Sequence, residues 1–184
     1  MAQSDLALIL EALEFSAEKH RSQRRKDVEA SPYINHPIQV ANLLVQVGGV
    51  EDGVTLAAAV LHDTIEDTET TPGEIEARFG PEVRAVVEEV TDDKRLAKEK
   101  RKLLQIERAP RASPRAKQIK IADKICNVRD VTHRPPADWP EARCREYLDW
   151  TERVVAGCRG ANPALERCYD EVLAEARAAL AWPG

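Results

Sequence analysis

Leu61-His62-Asp63-Thr64-Ile65-Glu66-Asp67-Thr68 sets an imidazole and a carboxylate side by side, with two further carboxylates one helical turn later. Just upstream, Thr55-Leu56-Ala57-Ala58-Ala59-Val60 is alanine-rich and free of Gly and Pro, which predicts a buried helix running into the motif. Residues four apart share a helix face, so this reading stacks His62 on Glu66 and Asp63 on Asp67. Four ionisable groups at the end of an apolar helix are costly to bury without a cation or hydrogen bonds to compensate them. Alone, the pair could equally be a helix end with solvated carboxylates. The rest of the chain decides, by supplying further ligands or not.

Working outward, Tyr33-Ile34-Asn35-His36-Pro37 places a histidine before a proline. Pro37 disfavours helical geometry at His36, so His36 is expected just ahead of a helix that begins at Pro37 and carries Val40, Leu43, Leu44 and Val47. Gly48-Gly49 ends that helix, and Asp52 or Thr55 starts the next. Ser113-Pro114 opens another helix, over about 115–131, in which Ile119, Ala122 and Ile125 face the core. Asp123 falls among them and shares a face with Asn127. Such a carboxylate needs a partner, either a metal or a neighbouring Lys120 or Lys124.

The remaining elements read as scaffold. Residues 5–21 form an amphipathic helix with Leu6, Ile9, Leu10, Leu13 and Ala17 on the buried side, capped by Ser4 or Asp5 and closed by His20. Arg21-Ser22-Gln23-Arg24-Arg25-Lys26-Asp27 is a basic connection, solvated or a phosphate clamp. Thr71-Pro72-Gly73-Glu74 caps a short helix that ends at Phe79-Gly80, followed by another over 81–90 with Val83, Val86, Val87 and Val90 inward. Residues 95–115 are expected to be part helix and part mobile flap. Beyond the prolines 135, 136 and 140, two closing helices span 141–182.

With 184 residues, 43% hydrophobic, 32% charged and 4% aromatic, the composition suits one all-α domain over 1–184. No apolar run approaches a membrane span, and the N-terminus lacks a secretion signal, so a soluble cytoplasmic protein is expected, with no membrane partner. Cys126, Cys144, Cys158 and Cys168 form no Cys-x-x-Cys pair and read as reduced packing residues. A net charge of −5 argues against a nucleic-acid partner. Residues 92–120, however, hold 11 basic and 4 acidic side chains, a local +7 on a body of −12, which suits a small polyanion.

The ligand candidates are then His36, His62, Asp63 and Asp123, from three helices or helix starts. Two imidazoles with two carboxylates suit manganese, iron or zinc better than calcium or magnesium. Two aspartates neutralise a divalent ion, which leaves Glu66 and Asp67 for proton handling.

The segments Tyr33-Ile34-Asn35-His36-Pro37, Leu61 to Thr68, Val90-Thr91-Asp92-Asp93-Lys94 and Lys120-Ile121-Ala122-Asp123-Lys124-Ile125-Cys126-Asn127-Val128-Arg129-Asp130 occur in the order of a known family. The chain resembles the HD-superfamily hydrolase domain of RelA/SpoT-type alarmone enzymes, in its stand-alone form, the metazoan SpoT homologue and small alarmone hydrolases. The resemblance implies an HD-type helical bundle with its motif region over about 33–130. It implies one Mn²⁺ on His36, His62, Asp63 and Asp123, with Zn²⁺ or Fe²⁺ as alternatives, and catalysis by Glu66 and Asp67. Arg25, Lys26 and Asn127 would lie at the nucleotide, with Lys98 and Tyr147 carried over from less distinctive surroundings. The implied reaction removes the 3′-pyrophosphate from guanosine tetra- or pentaphosphate, giving GDP or GTP and pyrophosphate. No synthetase domain follows, so hydrolysis without synthesis is expected. Alternatives are removal of the 2′-phosphate of NADPH, another HD-type nucleotide phosphohydrolase, and a non-catalytic nucleotide sensor. Oligomeric state is left open.

Overall fold

The computed structural model describes residues 4–27, 29–136 and 138–180. Residues 1–3 and 181–184 lie outside them, and with them the expected end of the last helix at 181–182 and the first residues read for a secretion signal. Nine α-helices make up the described fold: α1 Asp5–Lys19, α2 Asn35–Gln46, α3 Gly53–Leu61, α4 Thr64–Asp67, α5 Pro72–Val90, α6 Lys98–Arg108, α7 Pro114–His133, α8 Glu141–Cys158 and α9 Pro163–Ala179. A 3₁₀ turn, Ala109–Arg111, follows α6. Among the described residues there is no strand, only an isolated bridge between Arg24 and Pro32. The fold is all-α, as composition indicated.

Two helices form the centre. In α3 every residue from Thr55 to Leu61 is buried, as expected for a helix apolar on all sides, and its three alanines let α1, α2 and α5 approach closely. Asp52 caps it, accepting from the Thr55 amide at 3.2 Å, and Arg115 Nε donates to the same carboxylate at 2.8 Å, tying the start of α3 to the start of α7. In α7, Ser113 caps and Pro114 takes the first turn. Its Ile119, Ile121, Ala122, Ile125 and Val128 are buried between α2, α5, α8 and α9.

Four local expectations change. On α1 the core takes Ala12, Phe15 and Ser16, while Leu6 and Leu10 are 67% and 56% exposed and Ala17 is also exposed. Ile9 and Leu13 of the expected face do pack against the core, partly buried, but the centre of the buried face lies at Ala12 and Phe15, whose ring meets Phe79 edge-on with centroids 5.4 Å apart. The second helix begins at Asn35, so His36 and Pro37 sit inside its first turn. Proline is tolerated there because the first amides of a helix have no intrahelical acceptor. The helix of the His-Asp motif is interrupted only in its hydrogen bonding: α3 ends at Leu61 and α4 begins at Thr64, while His62 and Asp63 between them keep helical φ/ψ and the Asp67 amide still donates to the Asp63 carbonyl at 2.8 Å. Finally, most of the basic stretch is helical, as α6, and the indole of Trp150 on α8 donates to the Lys102 carbonyl at 3.1 Å. The expected break at Gly80 is present inside α5, where φ of +86° calls for glycine.

Candidate metal centre and active site

Between α3 and α4, His62 and Asp63 meet His36 at the start of α2 and Asp123 in the middle of α7. His62 Nδ1 donates to the Ala59 carbonyl at 2.7 Å, which fixes the tautomer and leaves Nε2 with its lone pair toward the cluster. Asp63 Oδ2 lies 3.1 Å from His62 Nε2 and 3.9 Å from His36 Nε2, and Asp123 Oδ1 lies 3.1 Å from His36 Nε2 and 3.9 Å from His62 Nε2. Ligand atoms about 2.1 Å from one ion stand roughly 3 to 3.5 Å apart at tetrahedral or octahedral angles, so the two 3.1 Å separations match a shared cation and the two of 3.9 Å would close slightly around one. His36, His62 and Asp123 each offer an atom within 4.8 Å of the others, and Asp63 adjoins this trio through its contacts with both imidazoles. His62 Nε2 is buried without a hydrogen-bond partner, which is what a missing ligand bond leaves behind.

Neighbouring side chains hold these groups in place. Tyr33 donates its hydroxyl to Asp63 Oδ2 at 2.7 Å, Asn127 Nδ2 donates to Asp123 Oδ1 at 2.6 Å, and Lys124 Nζ donates to Asp123 Oδ2 at 2.8 Å. The lysine partner foreseen for Asp123 is therefore present beside the imidazoles, not in place of them. Burial works against charge on Asp63 and Asp123, yet the imidazoles hold both carboxyls well below the usual range, with Lys124 the strongest influence on Asp123. Burial likewise opposes a charged His62, but Asp63 and Asp123 push it up to about 9.

Glu66 and Asp67 are not left over, as supposed; each is held by the basic segment and by a second contact. Glu66 accepts from the Asp92 amide at 3.1 Å and from Arg101 Nη1 at 3.2 Å. Burial, then Asp92 and Asp63, push its carboxyl up to about 7. Asp67 Oδ2 accepts from Gln23 Nε2 at 2.9 Å, and Lys94 pairs with its other oxygen. Gln23 is oriented in turn by buried His20, whose Nδ1 lies 2.7 Å from Gln23 Oε1 and whose ring stacks on Tyr33 at 4.9 Å.

A cavity of about 160 Å³ has the four ligand candidates and Glu66 in its wall, and it adjoins a larger one of about 480 Å³ that shares Arg25, Tyr33, Glu66 and Asn127. Lys26, Asp67 and Tyr147 line the larger cavity. Arg25 is paired with Asp130 and lies 3.3 Å from Asn127 Oδ1. Tyr147 packs between Trp139 and Trp150, centroids 5.4 and 5.2 Å away, with its hydroxyl pushed up to about 12 by burial. Lys98 lines neither cavity; its ammonium is 5.9 Å from the Trp139 ring. Sequence reasoning passed over Gln23, Arg101, Lys94 and Asp130, which lie in polar stretches where only tertiary contact shows which charges matter, and it quoted Tyr33 without a role.

The HD domain family matches residues 12–149, three-quarters of the chain. The chain belongs to the HD domain family. Within it, the chain is 55% identical over 169 residues to the guanosine-3′,5′-bis(diphosphate) 3′-pyrophosphohydrolase MESH1 of Xenopus tropicalis, covering 92% of this chain and 94% of that protein. The protein of the same name from Homo sapiens is 55% identical over 163 residues, covering 89% and 91%. A solved structure described as a metazoan ortholog of SpoT that hydrolyzes ppGpp superposes with a TM-score of 0.89 at 45% identity, covering 94% of this chain and 96% of that one. HD domains imply a divalent metal, and the cluster at His36, His62 and Asp123 offers this HD domain a place for one. No helix among the described residues is long and apolar enough to cross a membrane.

Proposed function

We propose that this chain is a Mn²⁺-dependent 3′-pyrophosphohydrolase of guanosine 3′,5′-bis(diphosphate) and its pentaphosphate, folded as one domain. The observation that carries the reading is a proton-handling carboxyl, Glu66, in the wall of the same cavity as a buried His-His-Asp cluster, at the mouth of a larger basic cavity. The names of the relatives supply the substrate. His36, His62, Asp63 and Asp123 would hold the ion, and the mixed imidazole and carboxylate donors favour manganese over calcium or magnesium. Once bound, the ion supplies Lewis acidity to a phosphoryl oxygen and activates water.

The chain's own residues do the rest. Glu66, balanced near neutrality, accepts a proton from the attacking water and returns it to the O3′ leaving group as the phosphorus–O3′ bond breaks, giving GDP and pyrophosphate. Arg101 and the Asp92 amide hold Glu66 in position, and Gln23 and Lys94 do the same for Asp67. Arg25 and Lys26 bind phosphate, Asn127 orients Arg25 and Asp123, and Tyr147 borders the space for the nucleoside, with Lys98 outside its wall at the Trp139 ring.

The test is to strip the protein of metal, resupply Mn²⁺, and compare products from guanosine tetraphosphate and NADPH. GDP and pyrophosphate in equal amounts, dependent on Mn²⁺, are expected. No pyrophosphate release, or a higher kcat/KM for removing the NADPH 2′-phosphate, would overturn the substrate assignment. Formation of guanosine tetraphosphate from ATP and GDP would overturn the absence of synthesis.

A further inference from the structure

Helix α7 buries charge as well as hydrocarbon. Lys120 and Lys124 lie one turn apart on it, 6% and 5% exposed, with Asp123 between them in sequence. A buried ammonium is costly unless something compensates its charge. Lys124 is compensated twice, by Asp123 Oδ2 at 2.8 Å and by the face of Trp150, 4.6 Å from the ring centroid. Lys120 has no ion pair and no hydrogen bond among the described residues, although it lines the inner cavity together with the metal-ligand candidates. Asp92, the carboxylate nearest in influence, is already engaged by Gln105 Nε2 at 2.6 Å. Of the three cations in that cavity's wall, Arg25 is bound to Asp130 and Lys124 to Asp123. Only the charge of Lys120 has no protein counterpart there.

An unpaired ammonium in a small cavity beside a cation cluster is placed for an anion that arrives from outside. The nucleoside fits the larger adjoining cavity, and the inner one has room for a phosphoryl group. We infer that Lys120 is a further catalytic residue, whose ammonium binds non-bridging oxygens of the pyrophosphoryl group as it is cleaved and released. This rests on the hydrolase reading above, and it assigns the inner end of the site to pyrophosphate rather than to the base or ribose.

Lys120→Met keeps the length and removes the charge. Measurements on the Mn²⁺-loaded full chain would be metal content after gel filtration, kcat and KM for guanosine tetraphosphate, and calorimetric affinity for inorganic pyrophosphate and for GDP at fixed free Mn²⁺. The expected result is retained metal, kcat/KM lower by about 100-fold, and pyrophosphate affinity lower by at least about tenfold, as for a lost charge-assisted hydrogen bond, with GDP affinity little changed. Unchanged pyrophosphate affinity in a metal-loaded variant overturns the inference while leaving the hydrolase reading intact. Lys120-dependent pyrophosphate binding in a wild-type protein that hydrolyses no guanosine tetraphosphate would sink the hydrolase reading and keep the pyrophosphate subsite. Loss of metal together with pyrophosphate overturns it in favour of a role at the metal. Should Lys120→Met fail to fold, Lys120→Gln decides by the same criteria.

Discussion

Glu66→Gln should destroy the chemistry and stabilise the metal-free protein, and both effects have one cause. The carboxyl is pushed from its ordinary 4.5 up to about 7 by burial and by the charges of Asp92 and Asp63, which prevail over the hydrogen bond from the Asp92 amide. A carboxyl that holds its proton more tightly folded than unfolded adds stability that is fully present below pH 4.5 and is lost as the pH rises through 7. The displacement is worth roughly 3 kcal/mol, at about 1.4 kcal/mol per pH unit. Glutamine keeps the shape and an acceptor for the Asp92 amide without the charge, so it should resemble the protonated wild type at every pH. In EDTA-treated protein, thermal unfolding at pH 8 should rise by roughly 6–12 °C in the variant, at about 2–4 °C per kcal/mol for a chain of this size. At pH 4.5 the two proteins should melt within a few degrees of each other. With Mn²⁺ restored, pyrophosphate release should fall by about 10²- to 10⁴-fold, as when a general base is removed. A variant that melts no higher than wild type at pH 8 would show that Arg101 already compensates the charge, and Glu66 would then be an ion-pair partner with no elevated proton affinity to use in catalysis.

Other perturbations separate the remaining roles. Tyr33→Phe removes the 2.7 Å hydrogen bond to Asp63 and should weaken Mn²⁺ binding by about tenfold in a metal titration, with unfolding little changed; unaltered affinity would show that Asp63 needs no such support. Asp63→Ala should lose metal and activity together while the helical circular dichroism survives; retained stoichiometry would mean that His36, His62 and Asp123 suffice. Arg25→Ala should raise KM for guanosine tetraphosphate much more than it lowers kcat, and an equal rise for a nucleotide lacking the 3′-pyrophosphate would argue against a phosphate clamp.

The helices, and the need of Asp123 for a partner, could be read from the sequence because each leaves a local trace. An alanine run without glycine or proline can hardly be anything but a buried helix, and Asp123 among Ile119, Ala122 and Ile125 demands a partner wherever it lands. Local pattern fails where two readings satisfy it equally. The apolar spacing on α1 put Ile9 and Leu13 at the core but also Leu6 and Leu10, and it could not show that Ala12 and Phe15 are the buried centre, which depends on contacts with α3 and with Phe79, 64 residues away. The four-residue spacing of His62 and Glu66 fits the helical φ/ψ observed there, yet spacing does not tell that the imidazole joins the cluster while Glu66 meets Arg101 and the Asp92 amide. The charged stretch after Asp92 gave its sign and not its partners. Which lysine reaches a carboxylate and which stays unpaired depends on packing between α6, α7 and α8, and that has no period in the sequence.

Charge in the inner cavity ties metal binding to substrate binding. Its wall carries four carboxylates, Asp63, Glu66, Asp92 and Asp123, against three cations, Arg25, Lys120 and Lys124, and without an ion the raised His62 adds a fourth positive charge, which leaves the wall formally neutral. A divalent ion that takes the place of that proton turns this to +1. In a buried setting, where charges are weakly screened, that gain strengthens the wall's attraction for a polyphosphate. The coupling must be mutual, since whatever raises pyrophosphate affinity through the ion raises affinity for the ion through pyrophosphate by the same factor. Pyrophosphate affinity, measured with Mn²⁺ present and after its removal, should therefore differ by well over about tenfold. Equal affinity in the metal-free protein would mean that Arg25, Lys26 and Lys120 already make a complete anion site, with the ion confined to activating water.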